Sequence, residues 1–489
     1  MKRDLLRTLA LVAALISPAA CTRSSAPLNA RNTSRAISFA SASMLPEPAH
    51  RNVIVQLFNW RFVDITTHLS RLRAAGYSHV HVSPPQKSNE RVWQWWGRYQ
   101  PVDFSRIEGP LGNEAEFRAM NVEADHVDIQ IVVDVVANHT IDITEMPEPD
   151  FVRLSGNMIV SEHFPQFEPT DFHPRCTVSD ANPESVIPCW LSGNLCDLRT
   201  ETPHVRATIR DYLRKLASLG VDGFRFDAAK HIEPGFFADV LQDLPNAYSF
   251  GEVITPSPKA IPDVPVLDFY DFPLAATMKE AFDFGGNLQL LRDAASHGRA
   301  LEGTRAVTFV RNHDIDRGQA GDRGLDPESQ NTFGIGWRGL SAPLAEGDIV
   351  LAYAYIMGLE EGLPYVFADM IGDGVDDRRR DVYDDPRLLA FIRFHNLSLA
   401  DEGGVARRPD IWLDIGSPNA IAWQRGTDRL VVINKAAEQL ALRDLGKSLQ
   451  PGRYIEVVTG SQLNVEAGGR VHELNVPGQT AVMFVRQQP

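Results

Sequence analysis

The sequence predicts an α/β fold: a (β/α)8 TIM barrel with an irregular subdomain inserted after its third strand and an antiparallel β-sandwich domain at the C-terminal end. Three observations predict it. Eight short apolar runs recur between residues 53 and 368, separated by longer stretches of helical spacing, and strands alternating with helices build a parallel sheet with crossover helices. The stretch after the third run is about 60 residues of sequence rich in Pro, Asp, Asn and Cys, far beyond an ordinary loop. Beyond about residue 395 the texture changes to short alternating strands with turn signals, as in an antiparallel β domain.

The 489 residues carry a formal net charge of −15, with 44% hydrophobic and 23% charged side chains, which excludes disordered, collagen-like and polytopic membrane proteins. The acidic balance speaks against nucleic acid as a partner, because phosphate binding needs a basic face. At the N-terminus, Lys2, Arg3 and Arg7 precede an apolar stretch over 9–16 and the sequence SPAAC ending at Cys21. This is the layout of an export signal over 1–21, with an apolar stretch too short to span a bilayer. Cys21 after two alanines resembles a bacterial lipid-attachment site, while Pro18 suits ordinary cleavage better. The chain is read as exported, either extracellular or periplasmic, with anchoring at Cys21 left open. Residues 22–48, rich in Ser, Ala, Arg and Asn, read as a tether.

The strand runs are 53–58, 79–83, 129–136, 221–227, 247–252, 264–269, 306–311 and 363–368. Among the helices, Pro203 suits a first turn, Val205, Ile209, Leu213, Leu216 and Leu219 follow at helical spacing, and Gly220 is placed to end the element. The barrel therefore takes 49–139 and 197–394, the insertion 140–196 and the β domain 395–489, with strands at 411–413, 420–424, 430–434, 453–458 and 480–485. Cys176, Cys189 and Cys196 lie close together, so an oxidising compartment gives one disulfide and one remaining thiol. Cys176–Cys189 is the favoured pair, although sequence does not decide it. Zinc is not expected, since no CxxC spacing or paired histidines accompany them.

Barrel enzymes carry their working residues at the C-terminal ends of the strands. Here the third run closes on DVVANH (134–139), the fourth on GFRFDAAKH (223–231), the fifth on GEV (251–253) and the seventh on FVRNHD (309–314). Carboxylates, an arginine and histidines would face one another across one mouth, and so many charges in one concavity are costly unless they serve chemistry. Paired carboxylates in such a place suit glycoside hydrolysis, where one attacks and another donates a proton.

These four segments resemble the four short signature regions of the α-amylase family of glycoside hydrolases. The resemblance extends to WWGRYQPV (95–102), GNEAEF (112–117) and CDLRTETPHVR (196–206), and covers the chain from about residue 52 onward. It implies Asp227 as nucleophile, Glu252 as general acid/base and Asp314 as the third, stabilising carboxylate. Arg225, two residues before Asp227, shares its face of the strand and is expected to keep it ionised. Glu252 has no arginine beside it in sequence and follows the apolar Phe250, which suits a proton donor. The resemblance also implies sugar contacts by Tyr99, His139, Lys230 and His313, with Arg225 alongside. Trp95 and Trp96 could equally belong to the core, but aromatic faces suit the C–H faces of glucose, so stacking on substrate is at least as well supported. Asp134 takes a structural place near Arg225.

A calcium site follows from the same resemblance, with side-chain oxygens from Asn138 and Asp197 and the backbone carbonyl of His231. The alternative for Asp197 is a cap for the helix beginning near Pro203. Arg225 and Asn312 match two chloride ligands of one branch of the family, but Tyr365 stands where that branch has a basic residue, which argues against chloride activation. The charged run over 376–381 reads as a solvated loop. The implied activity is endo-acting hydrolysis of α-1,4-glucosidic bonds in starch, glycogen and maltooligosaccharides with retention. The alternative is a maltooligosaccharide-forming amylase or an α-glucan transglycosylase. The partner is an α-1,4-glucan, and the chain is expected to act as a monomer.

Overall fold

The computed structural model describes residues 45–145, 152–160, 164–179, 181–316, 344–369, 381–399 and 408–488. The export signal with Cys21, the tether up to residue 44 and the charged run over 376–380 lie outside them.

Strands β1 (Ile54–Leu57), β2 (His79–Val82), β3 (Gln130–Val135), β4 (Gly223–Phe226), β5 (Tyr248–Gly251), β6 (Asp268–Tyr270), β7 (Ala306–Phe309) and β8 (Leu363–Ala368) form a closed parallel barrel in which β8 pairs back with β1. Side chains alternate between two environments. Val53, Val55 and Leu57 join the outer core beneath the helices, while Ile54, Val132, Phe250, Tyr270, Val307 and Tyr365 fill the barrel. The same alternation turns Phe224 and Phe226 outward, leaving Arg225 on the inner face with Asp134 and Phe250 as its register neighbours.

The sixth strand begins later than its run of apolar residues suggests, at Asp268 and not at 264. Pro262 and Pro265 lack a ladder N–H, and a turn from Leu267 N–H to Val264 O carries the chain into the sheet only afterwards.

Among the described residues the helices longer than one turn are α1 (Phe62–Ala75), α2 (Glu114–His126), α3 (Pro203–Ser218), α4 (Pro234–Val240), α5 (Phe272–Phe282), α6 (Glu346–Gly358) and α7 (Pro386–Leu397), and a single turn, His313–Asp316, follows β7. Between β5 and β6 the described helix is a single 3-10 turn, Pro258–Ala260. Helix α3 follows its pattern: Val205, Ile209, Leu213 and Leu216 are buried, and Gly220 takes the left-handed φ of 99° that ends it. GNEAEF forms the start of α2, where Asn113 accepts from the N–H groups of Ala115 and Glu116 while Glu116 reaches back to the Asn113 N–H.

After β2 the chain makes a three-stranded sheet, Gln86–Ser88, Pro101–Gly109 and Gly112–Asn113, which periodicity did not reveal. The insertion after β3 leaves along His139–Asp142 and returns antiparallel along Leu195–Asp197. It is tied internally by Cys176–Cys189, leaving Cys196 as a buried thiol.

The C-terminal domain pairs a six-stranded antiparallel sheet with a two-stranded one. The larger sheet holds β9 (Asp410–Leu413), β10 (Ala420–Arg425), β11 (Arg429–Asn434), β13 (Gly452–Glu456), β14 (Gln462–Val465) and β16 (Thr480–Arg486), and the smaller holds β12 (Leu440–Leu445) and β15 (Val471–Val476). A core of Leu430, Val432, Leu442, Tyr454, Val476 and Phe484 lies between them. Trp423 seats the domain on the barrel, its indole N–H donating to Gly358 O at 3.1 Å. No helix among the described residues is long and apolar enough to cross a membrane.

Candidate active site

Four loaded strand ends meet at the mouth of the barrel. Arg225 in β4 is fully buried, and one of its terminal nitrogens donates to Asp134 at 2.7 Å and to Asp227 at 2.8 Å. The other donates to Glu252. The expectation that Glu252 stands clear of any arginine is therefore corrected: β5 lies beside β4, and the guanidinium spans the seam. The backbone N–H of Ala228 donates to the second Glu252 oxygen at 3.2 Å, from a left-handed turn (φ 47°) directly after Asp227.

Asp314 follows β7, with Asn312 donating to it at 3.4 Å and the ring of His313 also 3.4 Å away. Burial, and then the charge of the neighbouring Glu252, push the Asp314 carboxyl well above the usual range. Burial also raises Asp227, with Arg225 pulling the other way, so the arginine does not dominate as sequence suggested. Asp134 is raised to about 7, again by burial opposed by Arg225. One guanidinium thus serves several buried carboxylates, and such a cluster holds protons more tightly than isolated acids. Exposure sorts the carboxylates by what can reach them. Asp134 is sealed at 0% side-chain exposure, whereas Asp227, Glu252 and Asp314 keep 11%, 9% and 18% open.

One wall of the mouth is aromatic. His313 lies between Phe58 and Tyr99, stacked on each at centroid distances of 4.8 and 5.2 Å. Its Nδ1 is 3.0 Å from the amide nitrogen of Gln56, and burial keeps its ring neutral by driving its pKa well down. Trp95 meets His313 edge-on at 5.8 Å, and Trp96 meets Trp95 edge-on at 5.8 Å. The Tyr99 hydroxyl donates to Asp134 at 2.9 Å, coupling this wall to the charge cluster. His139, lowered to about 4 by burial, gives its Nε2–H to the Tyr99 carbonyl at 3.1 Å. Donation from that nitrogen to a sugar would require this bond to be exchanged. Lys230 is half-buried on the turn after β4, and its backbone N–H donates to Glu252 O at 3.2 Å.

Asn138 and Asp197 meet where the insertion leaves and rejoins the barrel. The Asn138 amide donates to Asp197 at 3.1 Å, while its own Oδ1 is buried without a hydrogen-bond partner. Burial raises the Asp197 carboxyl to about 7, against His173, which bonds it at 2.7 Å. His231 turns its ring to the insertion, with Nδ1 2.7 Å from Val186 O. Among the described residues no group of three or more His, Cys, Asp or Glu gathers as a metal cluster. An orphaned amide oxygen beside a buried carboxylate nevertheless matches the hard-oxygen chemistry of calcium.

No family model matches the chain. An α-amylase of Aeromonas hydrophila is 32% identical over 440 residues, covering 81% of this chain and 87% of the relative. The chain belongs to the α-amylase family of glycoside hydrolases. An α-amylase of Streptomyces violaceus is 28% identical over 444 residues, covering 88% of this chain and 73% of that one. In fold, the chain is similar to a mutant of α-amylase I from Eisenia fetida solved with maltohexaose, with a TM-score of 0.69 at 23% identity over 90% of this chain and 98% of the other.

Sequence reading of this α-amylase-family chain missed several residues that build the site. Gln56 holds His313 and Phe58 stacks on it, yet in the sequence both lie in an apolar strand run that carries no motif. Glu145 fastens the aromatic wall by accepting from the Trp96 indole at 3.3 Å and the Gln100 amide at 2.6 Å. His173 belongs to irregular sequence, where only coordinates bring it to Asp197. Below the cluster, Tyr365 bonds His81 at 2.7 Å, and Tyr270 lies beneath the Arg225 guanidinium, which sits 5.7 Å from its ring centre.

Proposed function

We propose that this glycoside hydrolase is an endo-acting α-amylase that cleaves α-1,4-glucosidic bonds of starch, glycogen and maltooligosaccharides by double displacement with retention. The observation that carries the reading is the meeting of Asp227, Glu252 and Asp314, each slightly open to the mouth, around the sealed Arg225–Asp134 pair. Asp227 attacks the anomeric carbon, and the C1–O bond breaks as Glu252 protonates the departing oxygen. Glu252 then takes a proton from water, which attacks the anomeric carbon from the face the departing oxygen left, opposite Asp227, and breaks the C1–Asp227 bond. Asp314 takes hydrogen bonds from ring hydroxyls as positive charge develops. Arg225 orients the first two carboxylates. Tyr99, Trp95 and Trp96 offer apolar faces to sugar rings, and His313, His139 and Lys230 complete the polar contacts.

Asn138, Asp197 and the His231 carbonyl are proposed to hold calcium, which would supply positive charge where the insertion joins the barrel. The chain is further read as an exported monomer with the domain bounds given above, anchored if Cys21 is lipidated. The proposal is tested by proton NMR of maltoheptaose cleavage, observed before mutarotation. An α-anomeric first product is expected. A β-anomer would rule out retention, and intact substrate would rule out the activity.

A further inference from the structure

Trp93 stands out beside the mouth, with 72% of its surface exposed. A singly exposed apolar residue needs no explanation, but this one is carried on a braced support. Val92, immediately before it, is 4% exposed and donates its N–H to Asn89 O at 3.2 Å. The buried Arg98 donates to Val92 O at 3.0 Å and to Ser88 Oγ at 3.2 Å. Gly97 closes the brace, since a Cβ there would lie 2.2 Å from Val92 O. The backbone presenting Trp93 is thus clamped between two buried contacts.

Two chain steps reach at most about 7 Å, so the Trp93 backbone stands close to Trp95, a member of the wall that runs from His313 through Trp95 to Trp96. Trp96 is itself held by Glu145. Exposure rises from His313, which is sealed, through the half-buried Trp96 to the open Trp93. A large ring with one apolar face and a polar edge suits the C–H face of a pyranose, which carries hydroxyls at its rim.

We propose that Trp93 is an outer platform of the glucan track, stacking on a sugar unit remote from the cleaved bond and so favouring chains long enough to reach it. This rests on the amylolytic reading above. The test compares kcat/KM on amylose with kcat/KM on a chromogenic maltotrioside for wild type, Trp93→Ala and Trp93→Phe. Trp93→Ala is expected to lower the amylose-to-maltotrioside ratio by roughly three- to tenfold, carried by KM. Trp93→Phe is expected to recover most of it. An unchanged ratio overturns the proposal, whether both constants fall together or neither moves. A wild-type enzyme that cleaves neither substrate overturns the amylolytic reading, and the platform with it.

Discussion

Arg225 and Glu252 are hydrogen-bonded across the β4–β5 seam, the arginine fully enclosed and the glutamate side chain 9% open. Through its other terminal nitrogen the same guanidinium holds Asp134 and Asp227. The proton donor and the nucleophile of the proposed reaction are therefore aligned by one rigid fork, a geometry that a lysine cannot reproduce.

Removing that fork leaves several buried carboxylates without a counter-charge. Arg225→Met is expected to destabilise the fold by roughly 3–5 kcal/mol, read from urea unfolding. Arg225→Lys should keep more of the stability yet lose most of the activity. A loss below about 1 kcal/mol for the methionine variant would mean that the cluster is not held as described.

Asp134 gives a pH signature. Its carboxyl is raised to about 7 in the fold, chiefly by burial, against about 3.9 when unfolded. A raised carboxyl binds its proton more tightly in the native state, so its contribution to stability is complete below about pH 4 and is lost as pH rises through about 7. Asp134→Asn should therefore cost more stability at pH 5 than at pH 8 in paired denaturant titrations. A cost that grows with pH would reverse the sign and contradict the assignment.

The junction of the insertion and the barrel gives a chelation test. With Asn138 Oδ1 unpartnered and Asp197 buried, a chelator should lower both the melting temperature and the activity of the wild type. Asp197→Asn should begin with a lower melting temperature and respond little to the chelator. If wild-type melting and activity are indifferent to chelation, these residues do not hold an ion.

Much of the molecule was legible in sequence, for identifiable reasons. The barrel strands are fully buried, so their apolar runs stand out, and α3 carries a clean helical stripe with proline and glycine at its ends. Strand alternation put Arg225 and Asp227 on one face, as found. What escaped depends on contacts between strands that are neighbours only in space. The Arg225–Glu252 bond links residues 27 apart, and the pairing of Gln56 with His313 links residues 257 apart. The small sheet after β2 and strands β12, β14 and β15 are short, polar-faced pieces with weak periodicity. The balance between burial and Arg225 at Asp227 turns on how deeply the folded barrel encloses that carboxylate, which no local motif contains.

The most direct measurement is reducing-end release from soluble starch by the wild type and by Asp227→Asn, Glu252→Gln and Asp314→Asn, with melting temperatures taken alongside. The wild type should hydrolyse starch, and each carboxamide variant should fold yet turn over roughly 10²–10⁴-fold more slowly. A folded variant that keeps a near-normal rate would show that its carboxylate takes no part in breaking the bond, and the three-carboxylate account would fall.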